Sequence, residues 1–407
     1  MRRALAARLT LAVALVSPVL PSLGSWSTAY ADLPEFCFVG VEGAERRGLV
    51  VAPEAADRAV VAAVHRSGGQ VGRRAEPVGL REAVWPSVAL REAGIAALRR
   101  VPGLSSVEPE HVVHAHKAAN DPRIREQWGL ARIGAPRAWD VETGSRDVTV
   151  AVLDTGVDLL HPDLKGKVDN GPNVAYGTDD SQDDQSHGTH VAGIVAAATN
   201  NRVGVAGVAW GVRVLAIKVL SDKGSGTSCD VAVGILEAGK AEAEVINMSL
   251  GAAAVCPLAY RAVIAYAQHQ GAVVVASAGN DGYFASPQSS PANCPGVLGV
   301  GATDQDDQPS SFTTFGGSVD VVAPGHLILS TLFDPKKNVR GYAAFSGTSM
   351  AAPFVSGLAA LLCSQHPDWT PAEVAERIVA TAQDLGPAGR DDFYGVGLIN
   401  AARAVRR

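Results

Sequence analysis

The stretch Val148-Thr149-Val150-Ala151-Val152-Leu153-Asp154-Thr155-Gly156 decides the fold. Its first six residues form a continuous apolar and β-branched run, which predicts a strand buried on both faces of a parallel sheet. Asp154 follows at the C-terminal end of that strand, the edge at which open α/β sheets bind ligands. A carboxylate there is a candidate catalytic group, and a turn-capping role is the ordinary alternative.

Strand and helix patterns alternate from about residue 120 onward. This alternation predicts an α/β fold with a doubly wound, mainly parallel sheet and right-handed crossovers. Further strands are predicted at Val212–Val219, Val245–Leu250, Ala272–Ala276 and Val297–Ala302, and helices at His187–Thr199, Asp230–Ala241 and Pro257–His269.

Residues 32–116 have a different pattern, in which two helices lie among short strands. They predict a separate small α+β domain, followed by an exposed linker at residues 117–122. The strands are predicted at Gly48–Val51, Gln70–Val78 and Val107–Val113, and the helices at Ala55–Ser67 and Ile95–Arg100.

The first 31 residues are typical of a secretory signal. Arg2, Arg3 and Arg8 precede an apolar run from Leu9 to Val19, and Ala29-Tyr30-Ala31 matches a cleavage site. The alternative, a membrane anchor, is disfavoured because the run is shorter than the roughly 20 residues that span a bilayer. We therefore expect a secreted protein with no membrane span, divided into a signal peptide (1–31), a small domain (32–117) and a large domain (118–407).

Composition narrows the function classes. The hydrophobic content of 47% argues against disorder over the 407 residues. The formal net charge is −6, and no basic cluster with interleaved aromatic residues is present, so nothing indicates a nucleic-acid partner. We expect a monomer.

The five cysteines fit an oxidising compartment if at least one stays unpaired. Cys256 and Cys294 are the best candidates for a disulfide, because both lie in loops flanking the same predicted strand. The states of Cys37, Cys229 and Cys363 are left open. No CxxC or Cys/His array indicates structural zinc.

His187 and Ser349 are candidates for a base and a nucleophile. His187 opens a predicted helix rich in small residues, and a metal site shared with His190 is the disfavoured alternative. Ser349 lies at a predicted helix start, where free N–H groups and the helix dipole suit a developing oxyanion. A serine hydroxyl needs an adjacent base held by a third group, and His187 with Asp154 would supply both.

Asn280 follows another buried strand and is a candidate oxyanion donor, together with the Ser349 backbone N–H. A turn asparagine is the alternative. An esterase of the G-x-S-x-G type is excluded by the pattern, since Ala351 replaces the second glycine and the serine comes last in the chain.

The chain resembles the subtilisin family of serine proteases, in its thermitase and proteinase K-like branches. The resemblance covers about residues 120–405, in the family's Asp–His–Ser order, and includes the closing segment Tyr394–Asn400. Four motifs carry it: Val152-Leu153-Asp154-Thr155-Gly156, His187-Gly188-Thr189-His190-Val191-Ala192-Gly193, Ala278-Gly279-Asn280 and Gly347-Thr348-Ser349-Met350-Ala351-Ala352-Pro353.

The resemblance implies a secreted endopeptidase made as a zymogen. The small domain would be a ferredoxin-like inhibitory propeptide, removed by self-cleavage between about His114 and Asn120. An extended peptide would lie between Gly224-Ser225-Gly226 and Ser249-Leu250-Gly251, adding as a strand. The S1 pocket would be walled by Ser249-Leu250-Gly251 and Ala278-Gly279-Asn280, whose small apolar character predicts broad specificity with apolar or aromatic P1 residues.

The resemblance also implies a structural Ca²⁺. Two carboxylates, one amide and three carbonyls form the hard-oxygen ligand set that Ca²⁺ prefers, and solvated turn residues are the alternative. The matching positions are the side chains of Asp121, Asp163 and Asn201 and the backbone carbonyls of Ala198, Val203 and Val205. A second site is disfavoured against a solvated acidic loop at Asp179, Asp180, Asp183 and Asp184.

Two other classes of function stay open at this point. An inactive binding protein could keep the fold, although the complete set of Asp154, His187, Ser349 and Asn280 argues against it. A processing protease acting on one partner would be expected to carry a C-terminal anchor or added domain, and none is recognised before Arg407.

Overall fold

The computed structural model describes residues 44–72, 74, 79–110, 119–282 and 288–406. The chain divides between His114 and Ala115 into two compact units. The predicted signal segment, Cys37 and most of the predicted self-cleavage region lie outside the described residues. Within the described part of the chain, no helix is both long and apolar enough to cross a membrane.

The small unit is a four-stranded antiparallel sheet with two helices. Its β-α-β-β-α-β succession and the strand order β2-β3-β1-β4 are those of a ferredoxin-like split βαβ fold. The elements are β1 (Arg47–Val51), α1 (Glu54–Arg66), β2 (Gln70–Val71), β3 (Leu80–Val84), α2 (Val88–Leu98) and β4 (Ser106–Pro109).

Strand β3 was missed by the sequence patterns. Glu82 in its centre is fully buried, and its carboxylate accepts a hydrogen bond from Arg47 Nη1 at 3.3 Å. A buried ion pair replaces the apolar side chain that periodicity expects inside a strand. The pairing of β1 with β3 therefore could not be read from the alternation of residues.

The large unit is built on a seven-stranded sheet in which every strand pair is parallel. The strand order is β11-β10-β9-β8-β5-β7-β6, and this confirms the predicted α/β fold class. The strands are β5 (Thr149–Asp154), β6 (Val168–Asn173), β7 (Arg213–Lys218), β8 (Val245–Met248), β9 (Val273–Ser277), β10 (Val297–Thr303) and β11 (Val321–Pro324).

Helices cover both faces of this sheet, and a two-stranded antiparallel hairpin packs beside them. Sequence patterns missed β6, β11, the hairpin and the helices α3, α4, α9 and α10. The helices are α3 (Trp128–Arg132), α4 (Ala135–Ala138), α5 (His187–Ala196), α6 (Ser228–Lys240), α7 (Leu258–His269), α8 (Thr348–Gln365), α9 (Pro371–Thr381) and α10 (Ala401–Ala404), and the hairpin is β12 (Ile328–Asp334) with β13 (Val339–Phe345).

Strand β5 is buried on both faces, as predicted. Val150 and Val152 pack into the core that contains α5 and α8, whereas Ala151 and Leu153 pack into the core that contains α6 and α7. The chain runs from β5 to β6 and β7 on one side and to β8 on the other. Such a change of direction opens a crevice at the C-terminal ends of the strands, where Asp154 lies.

Helix α5 approaches β12 closely because Gly193 has no side chain. Ser330 Oγ donates to the carbonyl of His190 at 2.7 Å, and Thr331 Oγ1 donates to that of Thr189 at 2.7 Å. A Cβ at Gly193 would overlap both hydroxyl oxygens. The spacing of α5 from the hairpin therefore depends on this glycine.

We predict that Gly193→Ala lowers the free energy of unfolding by about 1–3 kcal/mol, the usual cost of overpacking. Urea unfolding measures the change. Gly317→Ala is the matched control, because a Cβ there meets no atom within 4 Å and the backbone has no positive φ. Equal stabilities of the two variants would contradict the close packing of α5.

Candidate active site

Asp154 and His187 form a hydrogen-bonded pair at the C-terminal end of β5. The His187 Nδ1 lies 2.8 Å from Asp154 Oδ1 and 3.0 Å from Oδ2. Asp154 is fully buried, and the His187 side chain is 26% exposed. The other ring nitrogen of His187 is thereby left for a partner in the open cleft.

His187 is placed by a cap at the start of α5 that sequence reasoning missed. Asp183 is buried, and its Oδ1 accepts hydrogen bonds from the N–H groups of Gln185 at 2.9 Å and Ser186 at 3.0 Å. Its Oδ2 accepts from Thr189 N at 3.0 Å. The expectation of a solvated acidic loop is therefore wrong for Asp183, which satisfies N–H groups at the helix start.

A buried lysine fixes the turn that follows Asp154. Lys218 lies opposite Asp154 in the register of β5 and β7. Its Nζ donates to Thr155 O at 2.6 Å and Leu220 O at 2.8 Å, and it pairs with Asp184 Oδ1 at 2.6 Å. Asp184 is therefore also engaged with the protein. No short motif signals this role, because Thr155 and Asp184 are distant from Lys218 in sequence.

The electrostatics of His187 suit a general base. Burial of the imidazole disfavours its charged form, but the charge and hydrogen bond of Asp154, with a smaller effect of Asp183, outweigh it. The net result is a raised pKa of His187. A more basic imidazole accepts a hydroxyl proton more readily.

Ser349 is the second residue of α8, and a proline shapes its surroundings. Pro353 has no N–H to donate to the carbonyl of Ser349 four residues earlier. The hydroxyl of Ser249 donates to that carbonyl instead, at 2.8 Å. In return Ser349 Oγ donates to Ser249 O at 3.1 Å. The proline thus leaves the Ser349 carbonyl free to accept the hydrogen bond that joins Ser349 to Ser249, at the end of β8.

Behind Ser249 a chain of buried polar groups continues into α8. Asn247 Nδ2 donates to Ser249 Oγ at 3.0 Å, and Ser356 Oγ donates to Asn247 Oδ1 at 2.8 Å. Asn247 and Ser356 are fully buried. Two polar residues in the otherwise apolar strand Val245–Met248 and its extension were the available sequence signal.

Asn280 is oriented by Thr348. Its Oδ1 accepts hydrogen bonds from Thr348 N at 2.8 Å and Thr348 Oγ1 at 3.0 Å. This assigns the opposite side of the amide to Nδ2, which would lie 3.4 Å from a Cβ placed on Gly347. The side-chain N–H donors of Asn280 therefore lie beside Gly347 and Thr348, the two residues that precede Ser349.

His187 and Ser349 line one cleft of about 430 Å³. Both predicted substrate segments, Gly224–Gly226 and Ser249–Gly251, line it as well. Two residues of the predicted S1 wall, Ala278 and Gly279, are not among the described lining residues of this cleft. Ala278 is fully buried, and the Gly279 N–H donates to Thr348 Oγ1 at 3.2 Å. No Asp, Glu, Lys or Arg occurs among the described lining residues.

His190 has surroundings unlike those of His187. Its Nε2 lies 2.9 Å from Ala343 O, its ring stacks on Phe345 at 4.3 Å, and burial lowers its pKa to about 3. Among the described residues, no three His, Cys, Asp or Glu side chains group as metal ligands would. His190 is a neutral packing residue.

The residues predicted to bind calcium lie together. Asp121 Oδ2 accepts from Asn200 N at 2.8 Å, and Asn201 Nδ2 donates to Asp163 Oδ1 at 2.8 Å. Asp163 Oδ2 accepts from Val205 N at 2.8 Å. Asp121 is 2% exposed, so the exposed linker predicted at residues 117–122 is wrong at this position. The carbonyls of Ala198 and Val203 belong to the same loop as Asn201.

The predicted disulfide is present. Cys256 and Cys294 are joined, with their Cα atoms 5.1 Å apart. Cys229 is exposed and free, and Cys363 is partly buried and free.

Comparison with known proteins decides the family. Residues 145–397 match the model of the subtilase family, peptidase S8. The chain belongs to the subtilase family. This subtilase is 43% identical over 315 residues to a thermophilic serine proteinase of Bacillus sp. (strain AK1), covering 77% of this chain and 76% of the relative.

Two further comparisons agree with that assignment. The subtilase is 42% identical over 288 residues to thermitase of Thermoactinomyces vulgaris, covering 70% of this chain and 99% of thermitase. A solved protease structure from Pseudoalteromonas arctica superposes with a TM-score of 0.66 at 34% identity, covering 71% of this chain and 99% of that one. The subtilase is a serine endopeptidase, as the sequence motifs predicted.

We predict that Ser249→Ala lowers both kcat and the free energy of unfolding. The partly buried Ser349 carbonyl would lose its donor, which typically costs about 1–3 kcal/mol. Peptidase kinetics and urea unfolding measure the two effects. Ser311→Ala, which removes an exposed hydroxyl, is the matched control. A Ser249→Ala enzyme as stable and active as this control would contradict the role of the Ser249–Ser349 pair.

We predict that Asp154→Asn moves the acidic limb of the kcat/KM profile to lower pH. His187 must be neutral to accept a proton, and Asp154 is what raises its pKa against burial. The parent limb should lie above about pH 6.5, the ordinary histidine value. The limb of the variant should lie below it, with kcat reduced roughly 10⁴-fold. Asp368→Asn, at an exposed carboxylate, is the control and should leave the profile unchanged. If the acidic limbs of Asp154→Asn and the parent fell at the same pH, that result would contradict the effect of Asp154 on the pKa of His187.

Proposed function

We propose that this serine endopeptidase is a secreted enzyme, made as a zymogen, that cleaves peptides through Asp154, His187 and Ser349. One observation carries the proposal. His187 Nδ1 is hydrogen-bonded to the buried Asp154, and His187 lines the same cleft as Ser349, which lies at the start of α8. A base held by a carboxylate beside a serine is the arrangement that activates a hydroxyl.

The reaction would proceed through an acyl-enzyme. Ser349 Oγ, turning from Ser249 O toward His187, attacks the peptide carbonyl carbon while His187 Nε2 takes the hydroxyl proton. Asp154 holds the tautomer and stabilises the imidazolium. The tetrahedral intermediate collapses as His187 protonates the leaving amine, and a water molecule, activated by the same imidazole, then releases the acid and restores Ser349.

The oxyanion would be bound by Asn280 Nδ2 and the Ser349 backbone N–H. The contacts of Thr348 support this role. Its N–H and hydroxyl donate to Asn280 Oδ1, so the Nδ2 donors of the same amide point away from Thr348. The second position of α8 leaves the Ser349 N–H without a helical acceptor. One such donor typically contributes about 3–4 kcal/mol to transition-state stabilisation.

An extended peptide would add as a strand between Gly224–Gly226 and Ser249–Gly251. The uncharged lining of the described cleft supports a preference for apolar or aromatic P1 residues over charged ones. The S1 pocket would use Ser249–Gly251 with Ala278, Gly279 and Asn280, although the last three are not among the described lining residues of the cleft.

The small domain, residues 32–117, would be the inhibitory propeptide of the domain at 118–407, after removal of a signal peptide at 1–31. Its ferredoxin-like topology supports an independently folded unit that can act before the protease is released. The mature enzyme would act as an extracellular monomer without a nucleic-acid or membrane partner.

The residues at the predicted calcium position fit a divalent cation. Asp121 and Asp163 are buried, burial raises the pKa of Asp163, and neither has an ion-pair partner among the described residues. A cation would compensate the charge of these two carboxylates, which Asn201 joins. Ca²⁺ held by Asp121, Asp163, Asn201 and the carbonyls of Ala198, Val203 and Val205 would fasten the start of the large domain to the loop after α5.

The central experiment compares the secreted parent with Ser349→Ala. We expect the parent to shed residues up to the region between His114 and Asn120 and to cleave a peptide library with apolar or aromatic P1. The variant should keep its small domain and show no cleavage above background. Mass spectrometry of both chains and library profiling supply the measurements.

A Ser349→Ala chain that matures and cleaves like the parent would overturn the proposal. A folded parent without peptidase activity would indicate a binding protein instead. Strict cleavage after Arg or Lys would leave the chemistry intact and overturn the P1 assignment.

We predict that a chelator lowers the Tm of the parent and that added Ca²⁺ restores it, because a ligand bound to the native state stabilises it by mass action. Asp121→Asn should remove most of this response. Asp306→Asn, at an exposed carboxylate on another loop, should retain it. Differential scanning calorimetry with and without chelator tests this, and a parent Tm indifferent to the chelator would contradict the site.

A further inference from the structure

A second cavity, of about 250 Å³, shares no described lining residue with the active-site cleft. Its wall includes Lys167, which immediately precedes β6, and Arg213, which begins β7. Because β6 and β7 run parallel to β5, these residues lie at the N-terminal edge of the sheet. Asp154 lies at the opposite edge, so the proposed peptidase chemistry does not use this cavity.

The cavity wall carries two cationic side chains that have no carboxylate partner among the described residues. Lys167 Nζ donates to the neutral carbonyl of Trp210 at 2.5 Å and forms no ion pair with a described residue. Arg146 has neither an ion pair nor a side-chain hydrogen bond within that same part of the chain. The ammonium of Lys167 and the guanidinium of Arg146 therefore share one wall without a carboxylate between them.

The local charge is positive, and only part of it is compensated. Arg213 Nη1 lies 3.3 Å from Asp169 Oδ2, and this pair accounts for one of the three cations. No Asp or Glu occurs among the described residues that line the cavity, which leaves Lys167 and Arg146 unmatched. Burial, with repulsion from Arg146, lowers the pKa of Lys167 to about 8. The partly buried ammonium of Lys167 is unfavourable unless an anion meets it.

We propose that this cavity binds a small tetrahedral oxyanion of the sulfate or phosphate type, through Lys167 and Arg146. Several oxygen acceptors on one compact dianion would match the donors and the two excess charges. The volume suffices for such an ion with water, which occupies roughly 30 Å³ per molecule in the liquid. Binding would join the loop before β5 to the starts of β6 and β7.

The test is calorimetric titration of sulfate into the full-length Ser349→Ala chain, with chloride holding the ionic strength constant. Sulfate is the first probe because it precipitates calcium less readily than phosphate. We expect one saturable site per chain. Lys167→Met, which keeps the aliphatic stem, should weaken binding at least tenfold. Lys165→Met is the matched control, because Lys165 is exposed, two residues away and not on the cavity wall.

Absence of saturable binding in the parent background would overturn the proposal. Equal weakening by Lys167→Met and Lys165→Met would also overturn it, since that pattern indicates an adventitious ion only. If circular dichroism shows that Lys167→Met does not fold, Arg146→Gln at an exposed position takes its place and must weaken sulfate binding at least tenfold.

A parallel titration with O-phosphoserine identifies the source of the oxyanion. Binding of both probes would assign the cavity to esterified as well as free oxyanions, and binding of sulfate alone would assign it to the free ion. These outcomes do not depend on peptidase activity, so they separate the fate of this site from that of the proposed catalytic residues.

Discussion

Burial of β5 on both faces is the constraint on which the rest of the large unit depends. Val150 and Val152 require helices on one side, and Ala151 and Leu153 require them on the other. A strand with two apolar faces is stable only between two helical layers, because each fully buried Val or Leu contributes about 1.5–3 kcal/mol. The same burial brings Asp154 to the sheet edge with its carboxylate away from solvent. The active-site cleft is therefore a consequence of how this strand is covered.

A second constraint comes from Pro353 within α8. A proline in a helix ordinarily leaves one carbonyl without a donor, and here that carbonyl belongs to Ser349. The Ser249 hydroxyl satisfies it, and Asn247 and Ser356 continue the chain of hydrogen bonds into the core. Because Pro353 has no N–H, the Ser349 carbonyl is free to accept the Ser249 hydrogen bond that joins helix α8 to the end of strand β8 near the proposed nucleophile.

Polar groups at this sheet edge act as a connected set. Asp183 caps α5, Lys218 holds the turn after Asp154, and Thr348 orients Asn280. Each of these residues satisfies backbone groups that would otherwise be buried without partners. The residues proposed to carry the chemistry are thus supported by others whose function is to position the backbone.

The sequence by itself determined the α/β class, most strands and helices of the sheet, the family and the disulfide, because apolar periodicity and short motifs are local properties. It also placed Asp154, His187, Ser349 and Asn280 at element ends, where parallel strands collect functional groups. Only the tertiary structure decided that Glu82 is paired inside β3, that Asp183 is a buried cap and that Ser249 serves Ser349 across 100 residues of chain. Those contacts depend on strand order and register, which bring together residues whose separation in sequence carries no pattern.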